Sequence, residues 1–180
     1  MTDTALDALK YPVGKFAMPP APTADDNAKS RHVLGLLPSK LRQAVAGLND
    51  SQLDTPYRDG GWTVRQTVHH VADSHLNAYC RFRLALTEDA PTIKTYEEAL
   101  WAELPDARTM LLAPSLEILD GVHARLVALI DTLTPEQWQR GFVHPEHGRT
   151  MTLAQTAALY AWHSVHHVAH ITALRSRNKW

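Results

Sequence analysis

Apolar residues recur at intervals of three and four along most of this chain, the spacing that gathers them on one side of a helix. Val33, Leu36, Leu37, Leu41, Ala44, Val45 and Leu48 follow that period from Asp25 to about Leu48 and predict a first amphipathic helix. Pro38 falls inside it and is expected to kink or split it. A second stripe, Val64, Val68, Val71, Ala78, Phe82 and Leu86, predicts a helix to about Thr87. Thr63 and Gln66 stand at capping-box spacing before it, so its start is marked as well as its face. Leu116, Leu119, Val122, Leu126, Leu129, Ile130 and Leu133 set a third helix from about Ser115 to Leu133. A fourth begins at Thr152, with Gln155 completing its cap, and neither Gly nor Pro interrupts it before 176.

The connections read differently. Residues 1–25 hold Pro12, Gly14, Pro19, Pro20 and Pro22 and are expected to form an extended arm, leaving 26–180 as a single four-helix-bundle domain. Between Ala90 and Ala113 the pattern is irregular around Pro91, Pro105 and the run Tyr96 to Trp101, which suggests a short helix in a long connection. Thr134-Pro135-Glu136-Gln137 caps a further short helix, and His144-Pro145-Glu146-His147-Gly148 reads as a turn-rich loop. No run reads as a strand. The fold class predicted is all-α, a four-helix bundle with short extra helices.

At 180 residues the chain is long enough to bury a core without staples. One cysteine, Cys80, excludes an intrachain disulfide and fits a reducing compartment. The opening residues carry Asp3 and Asp7 and no long apolar run, so no signal peptide is read there, and no stretch is apolar enough to span a bilayer. A cytoplasmic location is expected. The formal net charge of -1, with both signs interspersed, gives no footprint for nucleic acid.

Histidine changes the picture. His163, His166, His167 and His170 concentrate four of the 11 histidines on the last predicted helix. They form two i,i+4 pairs, His163/His167 and His166/His170, and such a pair can grip one divalent metal from a single side. At about 100° per residue, Leu153, Ala157, Tyr160, Val168 and Ile171 define the apolar face, with His163 and His167 at its border and His166 and His170 further round. A site inside a bundle needs ligands that face other helices, which favours the first pair. The second predicted helix carries His69, His70 and His75. His75 lies within the apolar stripe and reads as a core histidine hydrogen-bonded to a neighbour. Periodicity does not choose between His69 and His70, but their company differs. His70 shares its side with Ser74, Asn77 and Arg81, a polar file suited to a pocket wall, whereas His69 sits nearer Asp73 and a surface contact. His144 and His147, on a loop with Pro and Gly, read as solvated or pocket-edge residues.

The run Tyr57-Arg58-Asp59-Gly60-Gly61-Trp62-Thr63-Val64-Arg65-Gln66, followed by His69-His70-Val71-Ala72-Asp73-Ser74-His75, resembles the YfiT-type members of the DinB-like superfamily. So do His144-Pro145-Glu146-His147 and the segment from Leu159 to His170, and the likeness runs from about Tyr11 to Trp180. The resemblance implies a four-helix bundle, usually dimeric, proposed to be a metal-dependent hydrolase with a three-histidine site for zinc or nickel. Its ligands fall on His70, His163 and His167. It also implies a second chemistry, since some members transfer bacillithiol, a low-molecular-weight thiol, to electrophiles.

Three neutral imidazoles with one open position form the catalytic pattern for zinc, in contrast to a closed structural site. The expected function is hydrolysis of a small-molecule substrate by activated water. The alternatives are thiol S-transfer to small electrophiles and a non-catalytic metal-binding stress protein. Asp73, Asn77 and Arg81 are candidates for contacts beside the metal. Cys80 lies roughly 80° from His70 around its helix and no serine or cysteine sits in a nucleophile motif, so no covalent protein intermediate is expected.

Overall fold

The computed structural model describes residues 3–146 and 148–180, and four long helices carry the fold. A short helix α1 (Asp3–Lys10) precedes α2 (Ala24–Val45); α3 (Asp50–Leu53) leads to α4 (Val64–Thr87). The connection after α4 contains α5 (Glu98–Trp101) and α6 (Pro105–Thr109), before α7 (Ala113–Ile130) and α8 (Pro135–Trp138). Strands β1 (Gly141–His144) and β2 (Arg149–Thr152) form an antiparallel hairpin, and α9 (Leu153–Asn178) completes the chain. The most extensive packing joins α2 with α9, α4 with α7, α2 with α7 and α4 with α9. Helices α2 and α4, although consecutive among the long ones, therefore occupy opposite corners.

Local chemistry explains where these helices begin. Thr23, Thr63, Thr134 and Thr152 each accept an amide hydrogen bond from the third helical residue, whose side chain reaches back to the cap. Such a box satisfies two amides that a helix start leaves unpaired.

Three expectations are corrected. Helix α1 occupies part of the segment expected to be extended. Pro38 neither ends nor divides α2, which runs through it. Two strands flank the turn-rich segment after His144 where none was expected, and at four residues each they are too short for alternation to show. Tertiary contacts stabilise that hairpin. Arg140 donates from Nε to the Ala85 carbonyl and from Nη2 to the Glu88 carbonyl, both at 2.7 Å, tying it to the end of α4. Gly141 is required because a Cβ there would stand 2.3 Å from the Met151 carbonyl oxygen across the strand pair.

The core divides into two apolar clusters. One gathers Leu37, Leu41, Val64, Val68, Val71, Leu119, Ile171 and Leu174; the other gathers Leu34, Ala78, Phe82, Leu126, Phe142, Leu153, Ala157 and Tyr160. On α4, α7 and α9 the residues between those groups include His75, His123 and His163, so a layer of imidazoles crosses the bundle where the clusters meet. Buried imidazoles need partners. Among the described residues no helix is long and apolar enough to cross a membrane.

Candidate metal centre

Val64, Val68 and Val71 of α4 share a cluster with Ile171 and Leu174 of α9, which fixes the rotation of one helix against the other. That rotation turns His70 toward α9, where His163 and His167 stand one turn apart. One nitrogen from each of the three lies within 4.8 Å of the others. His70 Nε2 is 3.2 Å from His163 Nε2, and the His163 and His167 rings are 4.4 Å apart between centroids. The Trp62 ring, 4.5 Å from that of His70, closes one side.

Burial holds these histidines neutral. His70 is pushed down to about 4, first by desolvation and then by His166. His163 and His167 lie well below the usual histidine range, again through burial first and then through neighbouring imidazoles. A metal requires such unprotonated nitrogens. Nitrogens bound to tetrahedral zinc at 2.0–2.1 Å stand roughly 3.3 Å apart, and the 3.2 Å between His70 and His163 fits that spacing.

His163 is braced from behind. Its Nδ1 lies 3.1 Å from His75 Nε2, His75 Nδ1 lies 3.0 Å from His123 Nε2, and His123 Nδ1 lies 2.7 Å from the Leu34 carbonyl oxygen. His75 is thus the hydrogen-bonded core histidine its position predicts, at 0 % exposure. Its link to His163 was not legible in the sequence, because it depends on how three helices meet.

Other predicted residues separate. Arg81 is buried and donates from Nη1 to the Tyr160 hydroxyl at 3.1 Å. Both line a cavity of about 240 Å³ that His163 also borders, together with Ser74, Tyr96 and Glu98. Burial pushes the Tyr96 phenol up to about 12, and burial followed by Glu146 raises the Glu98 carboxyl. Asp73 and Asn77 are absent from the lining of this cavity. Asn77 donates to the Asp73 carbonyl of its own helix, and Asp73 is pushed up to about 6 by burial and Asp106. Cys80 is exposed. His144 lines the cavity, in keeping with a pocket edge; His147 lies outside the described residues.

His69 departs from expectation. It is buried, with Nδ1 2.7 Å from Ser115 Oγ and Nε2 3.3 Å from the Met110 carbonyl, because the approach to α7 covers that side of α4. His166 and His170 are also buried, although periodicity places them away from the core. Tyr57 lies over His170 and Trp162 stacks on His166, while the arm is held down by Trp162 Nε1 donating to the Gly14 carbonyl at 3.1 Å. The cavity residues Tyr96 and Glu98 carried no periodic signal; Tyr160 was legible only as an apolar-face residue three positions before His163.

Known proteins share this architecture. YfiT of Bacillus subtilis, for which metal-dependent hydrolysis is proposed, is 50% identical over 172 residues, covering 96% of this chain and 97% of that one. A Geobacillus thermodenitrificans protein with the same proposed activity is 46% identical over 178 residues, covering 98% and 99%. The solved structure of Bacillus subtilis YfiT, described as a four-helix bundle of unusual topology, matches with a TM-score of 0.93 over 96% of this chain and 99% of that one. The DinB superfamily pattern matches residues 34–171, spanning all three candidate ligands, and the chain belongs to that superfamily.

Proposed function

We propose that this protein is a metal-dependent hydrolase that holds one divalent cation through His70, His163 and His167, with zinc as the first choice and nickel as the alternative. The observation that carries this reading is the convergence of three neutral imidazoles, two buried and one half-buried, from two helices beside a cavity. A zinc ion held by these three histidines would supply acidity, lowering the pKa of water from 15.7 to about 7. The chain's own residues do the rest. Arg81, held by Tyr160, presents a cation to an electronegative group of a small-molecule substrate. Glu98, raised by burial and Glu146, is placed to take up or return a proton at its carboxylate.

Thiol S-transfer is the second reading, favoured by the same cavity. Arg81 would hold a carboxylate of a low-molecular-weight thiol, and the electrophile would be the substrate. Protein stripped of metal, and protein reloaded with zinc or nickel, should be assayed against esters, amides and electrophile-thiol pairs. Activity is expected only after reloading. Full activity in the stripped protein would reject both readings.

A homodimer and a cytoplasmic location are proposed from family membership and the free, exposed Cys80. A light-scattering mass near 20.1 kDa at micromolar concentration would reject the dimer.

A further inference from the structure

We propose that Pro38 sets the tautomer of the metal ligand His163 from across the bundle, through the Leu34 carbonyl and the positioning residues His123 and His75. The inference rests on the reading of His163 as a ligand.

The argument starts in α2. In a helix the carbonyl of residue 34 accepts from the amide of residue 38, but residue 38 is Pro and has no amide hydrogen. Leu34 is fully buried, so its freed carbonyl cannot turn to water. His123 Nδ1, at 2.7 Å, takes the place of the missing donor.

A carbonyl only accepts, and that fixes every proton behind it. His123 must carry its proton on Nδ1, which leaves Nε2 as an acceptor. His75 Nδ1, at 3.0 Å, must therefore donate, and its own Nε2 becomes an acceptor. His163 Nδ1, at 3.1 Å from that atom, must donate in turn. The single proton of neutral His163 is thus held on Nδ1, and the lone pair is left on Nε2, the atom that faces His70 Nε2. A ligand histidine whose other nitrogen donates is oriented and made more basic. Here the terminal acceptor is a main-chain carbonyl vacated by proline, reached through two further imidazoles.

The alternative arrangement shows what the carbonyl contributes. Without an acceptor behind His123, the chain of three imidazoles can be read with all protons reversed, every hydrogen bond between rings intact. His163 would then carry its proton on Nε2 and could not bind metal through that atom. The Leu34 carbonyl removes this second state.

The test begins with metal-free wild-type protein, in which ¹⁵N-resolved NMR of the histidine rings reads the tautomers directly. His163, His75 and His123 are expected to be protonated on Nδ1; a proton on His163 Nε2 would overturn the proposal. Zinc affinity is then measured by competition with a chelator. His75→Leu and His123→Leu should weaken binding by about 10–100-fold, and His75→Gln, which keeps an acceptor facing His163, should recover most of that loss. Pro38→Ala restores a competing amide and should cost a smaller factor, about threefold, with a mixed His163 tautomer. Unchanged affinity in folded His123→Leu, verified by circular dichroism, would overturn the proposal. Wild-type protein with the expected tautomers but no stoichiometric zinc would instead overturn the ligand reading and leave the tautomer assignment standing.

Discussion

Helix α9 carries two histidine pairs of identical spacing that the fold treats differently. His163 and His167 look toward His70 on α4, and His163 is braced through His75 and His123. His166 and His170 bond to each other, Nε2 to Nε2 at 2.9 Å, beneath Tyr57 and Trp162. With His167 they form a second group whose nitrogens are also close enough for a metal. The positive charge of Arg58 acts on His170, which is driven down to about 3, by burial first, then His166, then Arg58. A cation is less welcome there. Spacing of i,i+4 makes a pair, but a third ligand from another helix makes a site, and in it His163 has a partner for its rear nitrogen.

The largest test of the comparison is acid, because both pairs are held neutral by burial. His70, His123 and His166 are pushed to about 4 and His170 to about 3, all below the unfolded value of 6.5. The unfolded chain therefore binds protons that the folded chain refuses. Stability is fully present above pH 6.5 and is lost as pH falls toward 4, at about 1.4 kcal/mol per pH unit for each group. Four such groups exhaust a stability of about 5–15 kcal/mol. Metal-free protein followed by circular dichroism should unfold with a midpoint between about pH 4 and 6; a native signal persisting at pH 3.5 would show that the histidines are not neutralised by burial.

Next in size is metal binding. Alanine at His70, His163 or His167 should lower zinc affinity by more than about 100-fold, whereas His170→Ala should leave one zinc per chain by metal analysis. Equal losses in His163→Ala and His170→Ala would erase the distinction between the pairs.

Asp73, on α4, gives a smaller effect. Its carboxyl is raised to about 6, so the charged form is disfavoured in the fold and stability falls as pH rises from 3.8 through 6. Asp73→Asn should stabilise the protein by about 1 kcal/mol at pH 7.5, after allowing for solvent screening, with the gain gone at pH 3.5. Thermal melts at the two pH values decide it. Because Asp73 does not line the cavity, metal content should stay at the wild-type level.

The smallest expected change is at Arg58. Removing its charge in Arg58→Gln should move His170 upward from about 3, by less than His166→Gln does, since Arg58 is the weakest of the three causes. Histidine NMR titration reads both, and a downward move would show that Arg58 does not act on the second pair.

What the sequence determined by itself was everything carried by local periodicity and capping. The stripes Val64 to Leu86 and Leu116 to Leu133 placed helices, and Thr63 with Gln66 and Thr152 with Gln155 marked two of their starts to within a residue. These signals are local because a helix satisfies its backbone within itself. The i,i+4 pairs on α9 were legible for the same reason. Angle alone misjudged the burial of His69, His166 and His170, since what covers a helix flank comes from elsewhere in the chain: Ser115 in one case, Tyr57 and the arm in the others. The strands around His144 were hidden because four residues carry too little pattern, and they are held by Arg140, which bonds to carbonyls at the end of α4. Only the tertiary structure joined Leu34, His123, His75 and His163, which four separate helices bring together. Pro38 illustrates both levels. From the sequence it was a break in a helix, and in the fold it is the reason a carbonyl inside the bundle is free to accept.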